Sequence, residues 1–512
     1  MASVVQSFSI KGVDGYVVEV EIKTISGQPM FSIVGLGDTA VKESKERLEA
    51  VLSHKDFDFP QQKIVINLAP SNLKKRGSHF DLAMAIGLLM ETNQIRPKEI
   101  KKYGFIGELS LNGWLRPCIG VLPMVMAAKE ANVKDIIVPV GNMKEAGFVK
   151  GINIYGFSKL KEVTNFLEGK EPYRVPVIED EKIKESDPYS IDFRDVQGQD
   201  ALIEYIVVAA SGGHNMLMIG VPGCGKSMIA KRVPTILPNM TEEEALEVTK
   251  IYSVAGLLKN RGSLIEHRPF RSPHHNASTN ALIGGGNNAM PGEISLAHNG
   301  VLFLDEIAEF NRKTLDGLRQ PMEDKKVTIS RVNYTNTYPS NFMLVAAMNP
   351  CSCGYHGTDR CRCNDYEVLK YRQKVSGPIL DRMDIQKHVQ PVDFMELSGY
   401  KMGKTSKGLR ERVESARKIQ QKRYEKIEYI NCNAQMTPAL IKEYCGLEVE
   451  GERLLRLAYD RFQYSARTFH KFLKVARTFA DMEVSENIRK KDIAAALLAR
   501  DLDKEQANML VI

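Results

Sequence analysis

The sequence predicts an α/β protein with an all-helical C-terminal part. Short apolar strands alternate with amphipathic helices in residues 1–167 and again in residues 192–393, and the second pattern is typical of an open, mostly parallel sheet. Residues 168–191 are charged, contain prolines and lack an apolar period, so they are predicted to form a linker. From residue 394 to residue 512 only helical periodicity is visible.

The individual elements follow from the spacing of apolar residues. In the first part, the predicted strands are Tyr16–Ile22, Lys63–Leu68 and Asp135–Pro139, and the predicted helices are Asp81–Met90 and Leu122–Glu130. In the C-terminal part, helical spacing is clearest in Leu454–Phe462 and Ile493–Leu498.

The bulk composition predicts a globular protein of about three domains, since the chain has 512 residues. A net charge of +7 permits a polyanionic partner without requiring one. No run of about 18 apolar residues is present, and the N-terminus lacks the pattern of a signal peptide. Because the cysteines do not form a disulfide framework, we expect a reducing compartment and a cytoplasmic protein without a membrane segment.

The strongest motif lies in Asn215–Ser227, with the sequence NMLMIGVPGCGKS. An apolar strand leads into a G-x4-G-K-S turn and then a helix, which is the context that identifies a P-loop. The predicted nucleotide-binding residues are Gly220, Val221, Pro222, Gly223, Cys224, Gly225, Lys226 and Ser227. The glycines let backbone N–H groups face the phosphates of ATP, Lys226 reaches the β- and γ-phosphates, and Ser227 binds Mg²⁺.

Two further apolar strands end in polar residues that complete such a site. Gly300–Ile307 ends in Asp305, predicted to hold Mg²⁺ through its water shell, and Glu306, predicted to orient and deprotonate the attacking water. Phe342–Asn349 ends in Asn349, which is placed to contact the γ-phosphate or that water. The sequence therefore predicts ATP hydrolysis.

These residues resemble the AAA+ ATPases. The resemblance implies that Asn349 is sensor 1, that Arg382 is an arginine finger supplied to a neighbouring subunit, and that Arg467 is sensor 2 on a helical lid. It also implies that Asp192–Gln199 packs on adenine. Since a finger acts only in an assembled ring, a hexamer is implied.

The AAA+ branch is indicated by two segments. Val327–Phe342 alternates like a β-hairpin with its tip near Arg331–Asn333, before sensor 1. Arg268–Glu306 resembles the magnesium-chelatase-like YifB/ComM family, which implies an ATP-driven DNA motor in branch migration. Arg331, with Lys325 and Lys326, is the predicted DNA contact, and the basic stretch Lys404–Lys426 is a weaker candidate that fits an ordinary solvated face.

The N-terminal part resembles the proteolytic domain of Lon proteases in Gly77–Leu89 and Gly107–Pro139. The resemblance puts His79 at the position of the nucleophilic serine and Leu122 at that of its lysine partner. Neither residue supplies the hydroxyl and amine of a serine–lysine dyad, and Ser78 has no matching base. The expected arrangement is an inactive Lon-like domain at 1–167, an AAA+ core at 192–393 and a helical lid at 394–512.

Four of the eight cysteines follow sensor 1 directly, as two Cys-x-Cys pairs: Cys351, Cys353, Cys361 and Cys363. Four thiolates on a short loop suit tetrahedral Zn²⁺, although the spacing within each pair is tighter than usual. Reduced free thiols and an oxidation-prone pair are the alternatives. The adjacent His274 and His275 are compatible with a metal, but also with a structural or nucleic-acid contact.

Three other functions are alternatives to the DNA motor. A magnesium-chelatase-like ATPase that remodels a protein partner is the main alternative, although that subunit lacks a Lon-like domain. An ATP-dependent protease is excluded by His79 and Leu122. A sigma-54-type activator requires a GAFTGA loop, which this sequence lacks.

Overall fold

The computed structural model describes residues 2–53, 56–176, 190–258, 263–331, 334–392, 403–462 and 464–502. Most of the predicted linker, two residues at the predicted hairpin tip, and the predicted boundary at residue 393 lie outside these residues. The chain forms two compact units, one from Met1–Ile183 with Ala245–Ile265 and the other from Lys184–Glu244 with Glu266–Ile512. Among the described helices, none has the length and apolar character that crossing a membrane requires.

The first unit is built on a mixed seven-stranded sheet in the order β3-β4-β2-β1-β5-β8-β9. Its strands are β1 (Ser3–Lys11), β2 (Asp14–Ile25), β3 (Met30–Val34), β4 (Lys63–Ala69), β5 (Tyr103–Phe105), β8 (Asp135–Pro139) and β9 (Asn153–Phe157), and a separate pair is β6 (Glu108–Leu109) with β7 (Leu115–Arg116). All three strands predicted in this part are confirmed. The antiparallel β2–β4 register pairs Ile22 with Ile66, so their apolar side chains share the buried face.

The helices of this unit are α1 (Thr39–Lys42), α2 (Ser44–Leu52), α3 (Asp81–Glu91), α4 (Val121–Glu130), α5 (Met143–Ala146) and α6 (Leu160–Glu168). Both predicted helices are therefore confirmed. The first nine residues of α3 are all buried, including the carboxylate of Asp81. Arg47 Nε donates to Asp81 Oδ2 at 2.6 Å, which compensates the burial of that charge.

Residues Ala245–Ile265 belong to the first unit although they lie between segments of the second along the chain. They include most of α9 (Glu242–Val254). Ser253 Oγ donates to the buried Glu145 Oε1 at 2.6 Å, and Lys250 Nζ lies 3.0 Å from Asp14 Oδ1. The domain boundaries predicted from the sequence place residues 245–265 in the second part of the chain, so they do not predict these contacts.

The second unit contains a five-stranded parallel sheet in the order β11-β14-β17-β10-β18. Its strands are β10 (Met216–Ile219), β11 (Phe270–Arg271), β14 (Val301–Leu304), β17 (Met343–Met348) and β18 (Ile385–His388), and two hairpins are β12 (Gly284–Gly285) with β13 (Met290–Pro291) and β15 (Lys326–Arg331) with β16 (Tyr334–Pro339). The three central strands are wholly buried, which explains their continuous apolar sequences. The predicted parallel sheet and hairpin are confirmed.

The named elements after residue 402 in the described part of the chain are all helices, as predicted, and they share an apolar core with the sheet. The helices of this unit are α7 (Asp200–Gly212), α8 (Lys226–Arg232), α10 (Thr279–Ile283), α11 (Glu293–Leu296), α12 (Arg312–Asp316), α13 (Arg319–Asp324), α14 (Asp365–Arg372), α15 (Gly377–Leu380), α16 (Ser406–Tyr424), α17 (Pro438–Tyr444), α18 (Val449–Phe462), α19 (Ala466–Met482) and α20 (Lys490–Leu498). Phe472 and Val475 of α19 share one apolar core with Ile206 of α7. Lys471 Nζ also donates to the carbonyl of Met383 at 3.2 Å.

Candidate active site

Three adjacent strands of the parallel sheet bring the predicted nucleotide residues to one edge. β14, β17 and β10 are neighbours and run in the same direction, so the residues that follow them meet at the carboxyl edge. Those residues are the P-loop, Asp305 with Glu306, and Asn349. Ligands of open α/β sheets bind at this edge, where the chain order of the strands reverses.

The P-loop turn depends on left-handed backbone conformations that favour glycine. Gly223 has φ of 82° and Gly225 has φ of 90°, and α8 begins at the next residue, Lys226. The backbone amides at the start of α8 therefore lie at the mouth of the turn, where they favour an anion.

The side chains of this edge are joined by hydrogen bonds. Lys226 Nζ donates to the carbonyls of Gly220 at 2.6 Å and Val221 at 3.0 Å, and to Asn349 Oδ1 at 3.3 Å. Ser227 Oγ donates to Asp305 Oδ2 at 2.6 Å. A hydroxyl and a carboxylate at that distance converge on one point, as a shared magnesium site requires.

Glu306 projects beyond the end of β14 in a strained conformation. Its φ of 50° lies in the left-handed region, and its N–H donates to Asp305 Oδ1 at 3.0 Å. The side chain is 51% exposed, and its Oε2 lies 3.4 Å from His275 Nδ1. Strained non-glycine residues cluster at functional sites, so the geometry suits a carboxylate held toward a reacting water.

His275 is thus a candidate site residue whose partner could not be derived from the sequence. The sequence presents it only as half of a histidine pair in a loop. Its contact with Glu306 arises because β11, which precedes the loop, lies beside β14. The position of the loop after an edge strand of the same sheet is the one signal that could have indicated it.

Arg382 and Arg467 lie together, away from the P-loop of their own chain. The carbonyl of Arg382 accepts from Asn215 Nδ2 at 3.2 Å, at the start of β10, whereas the P-loop follows the end of β10. Four residues of strand separate these edges by about 13 Å. Arg382 Nη2 lies 2.8 Å from Glu323 Oε1, and Arg467 contacts the same carboxylate.

The shared carboxylate has a perturbed pKa. Burial acts to raise the pKa of Glu323, but the hydrogen bonds and charges of Arg382 and Arg467 outweigh burial and hold it below its usual value. Among the described residues, both arginines form an ion pair with this one carboxylate, so the two guanidinium groups and Glu323 form one charged cluster.

Three family models match this chain in successive regions. "Magnesium chelatase, subunit ChlI" matches residues 192–397, "Subunit ChlI of Mg-chelatase" matches residues 18–142, and "Magnesium chelatase, subunit ChlI C-terminal" matches residues 403–500. The competence protein ComM of Haemophilus influenzae is 38% identical over 501 residues, which are 97% of this chain and 96% of that protein. The uncharacterized protein YifB of Escherichia coli is 38% identical over 505 residues, 98% and 97% of the two chains. The chain belongs to the YifB/ComM family.

Membership of the YifB/ComM family confirms the resemblance carried by Arg268–Glu306 and supports an AAA+ ATPase that uses ATP and Mg²⁺. Two other relatives match part of the chain. The Lon protease of Trichlorobacter lovleyi is 26% identical over 185 residues, 34% of this chain and 22% of that protein. The zygotic DNA replication licensing factor mcm6-A of Xenopus laevis is 22% identical over 291 residues, 56% and 32% of the two chains.

In this YifB/ComM protein the four clustered cysteines converge directly after Asn349. Their Sγ atoms all lie within 4.8 Å of one another, with Cys351 and Cys353 3.3 Å apart and Cys353 and Cys361 3.8 Å apart. Zinc–sulfur bonds of about 2.3 Å in a tetrahedron place the sulfurs about 3.8 Å apart. Cys363, the fourth member, belongs to the same group. The donor set and its spacing therefore fit a tetrathiolate zinc site.

The local backbone also favours one thiolate in the cluster. Hydrogen bonds from the N–H groups of Arg362 and Tyr355 lower the pKa of Cys353 to about 6. Metal ions bind the thiolate form, so this ligand is available near neutral pH.

The three basic residues predicted to contact DNA differ in how exposed they are to solvent. Arg331 and Lys326 are exposed, and Arg331 Nη2 donates to Asn280 Oδ1 at 2.9 Å. Burial lowers the pKa of Lys325, with Cys432 and Asp384 acting against that shift. Arg331 and Lys326 are therefore better placed than Lys325 to meet a polyanion.

The first unit holds no dyad at the positions indicated by the Lon resemblance. His79 is buried, and burial lowers its pKa to about 4, so the imidazole is neutral at physiological pH. Leu122 is also fully buried in the apolar core. The hydroxyl of Ser78 donates to a carboxylate oxygen of Glu108 rather than to an amine.

Proposed function

We propose that this chain hydrolyses ATP in a ring of identical subunits, as a hexamer, and uses the energy to move DNA, as a helicase that promotes branch migration. The observation that carries the proposal is the separation of Arg382 and Arg467 from the P-loop of their own chain. A nucleotide site of this design is complete only when a second subunit places its arginines against the phosphates.

The proposed chemistry divides among the residues at the carboxyl edge of the sheet. Lys226 and the P-loop amides bind the phosphates, and Ser227 with Asp305 holds Mg²⁺, which neutralises charge on the phosphate oxygens. Glu306 takes the proton of the attacking water, and His275 positions that carboxylate. Asn349 orients the water or the γ-phosphate.

The neighbouring subunit is proposed to supply Arg382 as the finger. Arg382 Nε is a buried donor without a hydrogen-bond partner among the described residues, which suits an acceptor brought by a second chain. Since Glu323 already joins Arg382 to Arg467, the two cations are proposed to approach the same phosphate group.

DNA is proposed as the polymer on which the ring acts. The exposed Arg331 and Lys326 of the β15–β16 hairpin offer phosphate contacts, and a relative that aligns over 56% of this chain is a DNA replication licensing factor. Phosphate contacts carry no base preference. Peptide hydrolysis is not part of the proposal, because His79 and Leu122 provide neither nucleophile nor base.

DNA-stimulated ATP hydrolysis is the first expected result. Phosphate release should rise with single-stranded, forked or four-way DNA, and the stimulation should fall steeply between about 50 and 200 mM salt. Arg331→Ala should keep basal hydrolysis and lose most of the stimulation. Lys490→Ala, which removes an exposed lysine paired with Glu450, is the control. If no DNA structure changes the rate at low salt, the DNA motor is wrong.

The same assay separates the alternative function. The magnesium-chelatase models favour an ATPase that remodels a protein partner. Such a protein would hydrolyse ATP at a rate that DNA does not alter at any salt concentration.

Zinc content is a second expected result. We propose a structural Zn²⁺ at the cysteine cluster, so protein purified without chelators should contain about one zinc per chain by elemental analysis. Cys363→Ser should lose most of the metal, whereas Cys445→Ser, at a buried cysteine outside the cluster, should keep it. Carefully reduced wild-type protein without metal would favour free thiols.

A further inference from the structure

We propose that the cysteine cluster controls the shape of the P-loop, so that metal bound by the four thiolates raises the affinity of the chain for ATP. The inference rests on the nucleotide and zinc sites proposed above. Its evidence is that the loop carrying the cysteines contacts the nucleotide site at two separate points.

The first point is the start of the loop. Asn349, which accepts a hydrogen bond from Lys226 at 3.3 Å, is only two residues before Cys351. Cys351 is fully buried, and its Sγ accepts the N–H of His356 at 3.2 Å. A displacement of Cys351 therefore moves Asn349 and its contact with the P-loop lysine.

The second point is a glycine turn that packs on the P-loop itself. Gly354 has φ of 87°, and a Cβ added there would lie 2.9 Å from Cγ of Pro222. The backbone of the cysteine loop thus packs against the ring of Pro222, which is a residue of the P-loop turn. A side chain at Gly354 would have to displace one of the two segments.

Apart from these two points, the loop is held by hydrogen bonds of its own turns, such as the one from the N–H of Gly354 to the carbonyl of Cys351 at 3.0 Å, and it buries few residues. Between Cys351 and Cys363, only Cys351 and Gly354 are buried, and the remaining residues are at least partly exposed. A segment that buries so little apolar surface depends on cross-links for a fixed shape, and a tetrathiolate metal ion provides them. Loss of the ion releases Gly354 from Pro222, and the P-loop loses its support on that side.

Two glycines of the same loop provide a matched test. Gly354 and Gly357 share φ of 87°, but a Cβ at Gly357 would have nothing within 4 Å. Alanine therefore causes the same backbone strain at both positions and the contact with Pro222 at only one. Gly354→Ala should keep about one zinc per chain and bind a fluorescent Mg²⁺–ATP analogue about tenfold more weakly. Gly357→Ala should keep both zinc and wild-type affinity.

Metal removal tests the coupling in the unmodified full chain. A zinc-selective chelator should release the ion, which a zinc indicator measures. The chelated protein should bind the ATP analogue about as weakly as Gly354→Ala does. Adding ZnCl₂ back should restore the affinity. Cys363→Ser should resemble the chelated protein, and Cys445→Ser should resemble wild type.

The outcomes distinguish a failure of this inference from a failure of the proposed ATPase site or zinc site. If wild type binds the analogue equally with and without zinc, or if the two glycine variants bind it equally, the inference is overturned. Lys226→Ala provides the reference for a lost nucleotide site. A wild type that binds no better than Lys226→Ala would overturn the proposed ATPase itself, and a wild type without zinc would overturn the metal site and this inference together.

Discussion

Arg382→Ala is expected to leave ATP affinity nearly unchanged while lowering turnover by about 10³-fold or more, the usual effect of removing an arginine finger. The physical reason is that Arg382 is proposed to stabilise charge that develops only in the transition state of a neighbouring site. Binding is measured with a fluorescent ATP analogue, and turnover by phosphate release. If the variant binds ATP weakly but hydrolyses the bound ATP at the wild-type rate, Arg382 is a packing residue and not a finger.

A mixing experiment tests whether the finger acts between chains. Arg382→Ala keeps an intact P-loop, and Lys226→Ala keeps an intact finger, so each variant alone should be nearly inactive. Mixed rings contain some interfaces with both intact parts, and these should recover measurable hydrolysis. If Arg382 served its own P-loop, about 13 Å away across β10, mixing would recover nothing.

Glu306→Gln is expected to bind ATP normally and to hydrolyse it about 10²–10⁴-fold more slowly, the range assigned to general acid–base catalysis. Glutamine keeps the size of the side chain but cannot accept the proton of the attacking water. The variant should therefore accumulate as an ATP-bound ring, detectable by size-exclusion chromatography with ATP.

A matched control for this variant lies three residues further along. Glu309→Gln removes a carboxylate in the same turn after β14, whose Oε2 pairs with Lys374 at 3.0 Å on the surface. It should keep nearly full activity, because surface pairs contribute little. Wild-type turnover in Glu306→Gln would show that another group is the base.

The sequence was a good guide wherever structure is local. The P-loop can be predicted because one strand, one turn and one helix follow each other within Asn215–Ser227, and the glycine positions of the turn are set by the backbone. Asp305 and Asn349 could be added because buried parallel strands have continuous apolar sequences and end at a common edge. The hairpin at β15–β16 followed from strict alternation.

Contacts between distant segments could not be predicted in the same way. No pattern in the sequence connects Glu323 with both Arg382 and Arg467, because the three residues lie on separate elements and meet only through packing. The contact of His275 with Glu306 depends on the order of strands in the sheet. Lys325 and Lys326 are adjacent in sequence, yet Lys326 is exposed and Lys325 is partly buried.

By itself, the sequence determined the family, the α/β core with its parallel sheet and the helical C-terminal part, and it predicted the residues of the nucleotide site, because each depends on residues close together along the chain. Only the tertiary structure decided that Ala245–Ile265 joins the first unit, that the two arginines share one carboxylate, and that Gly354 rests on Pro222. Such contacts join residues up to 236 positions apart, as in the pair of Lys250 and Asp14, and they depend on how buried surfaces fit together rather than on any local period.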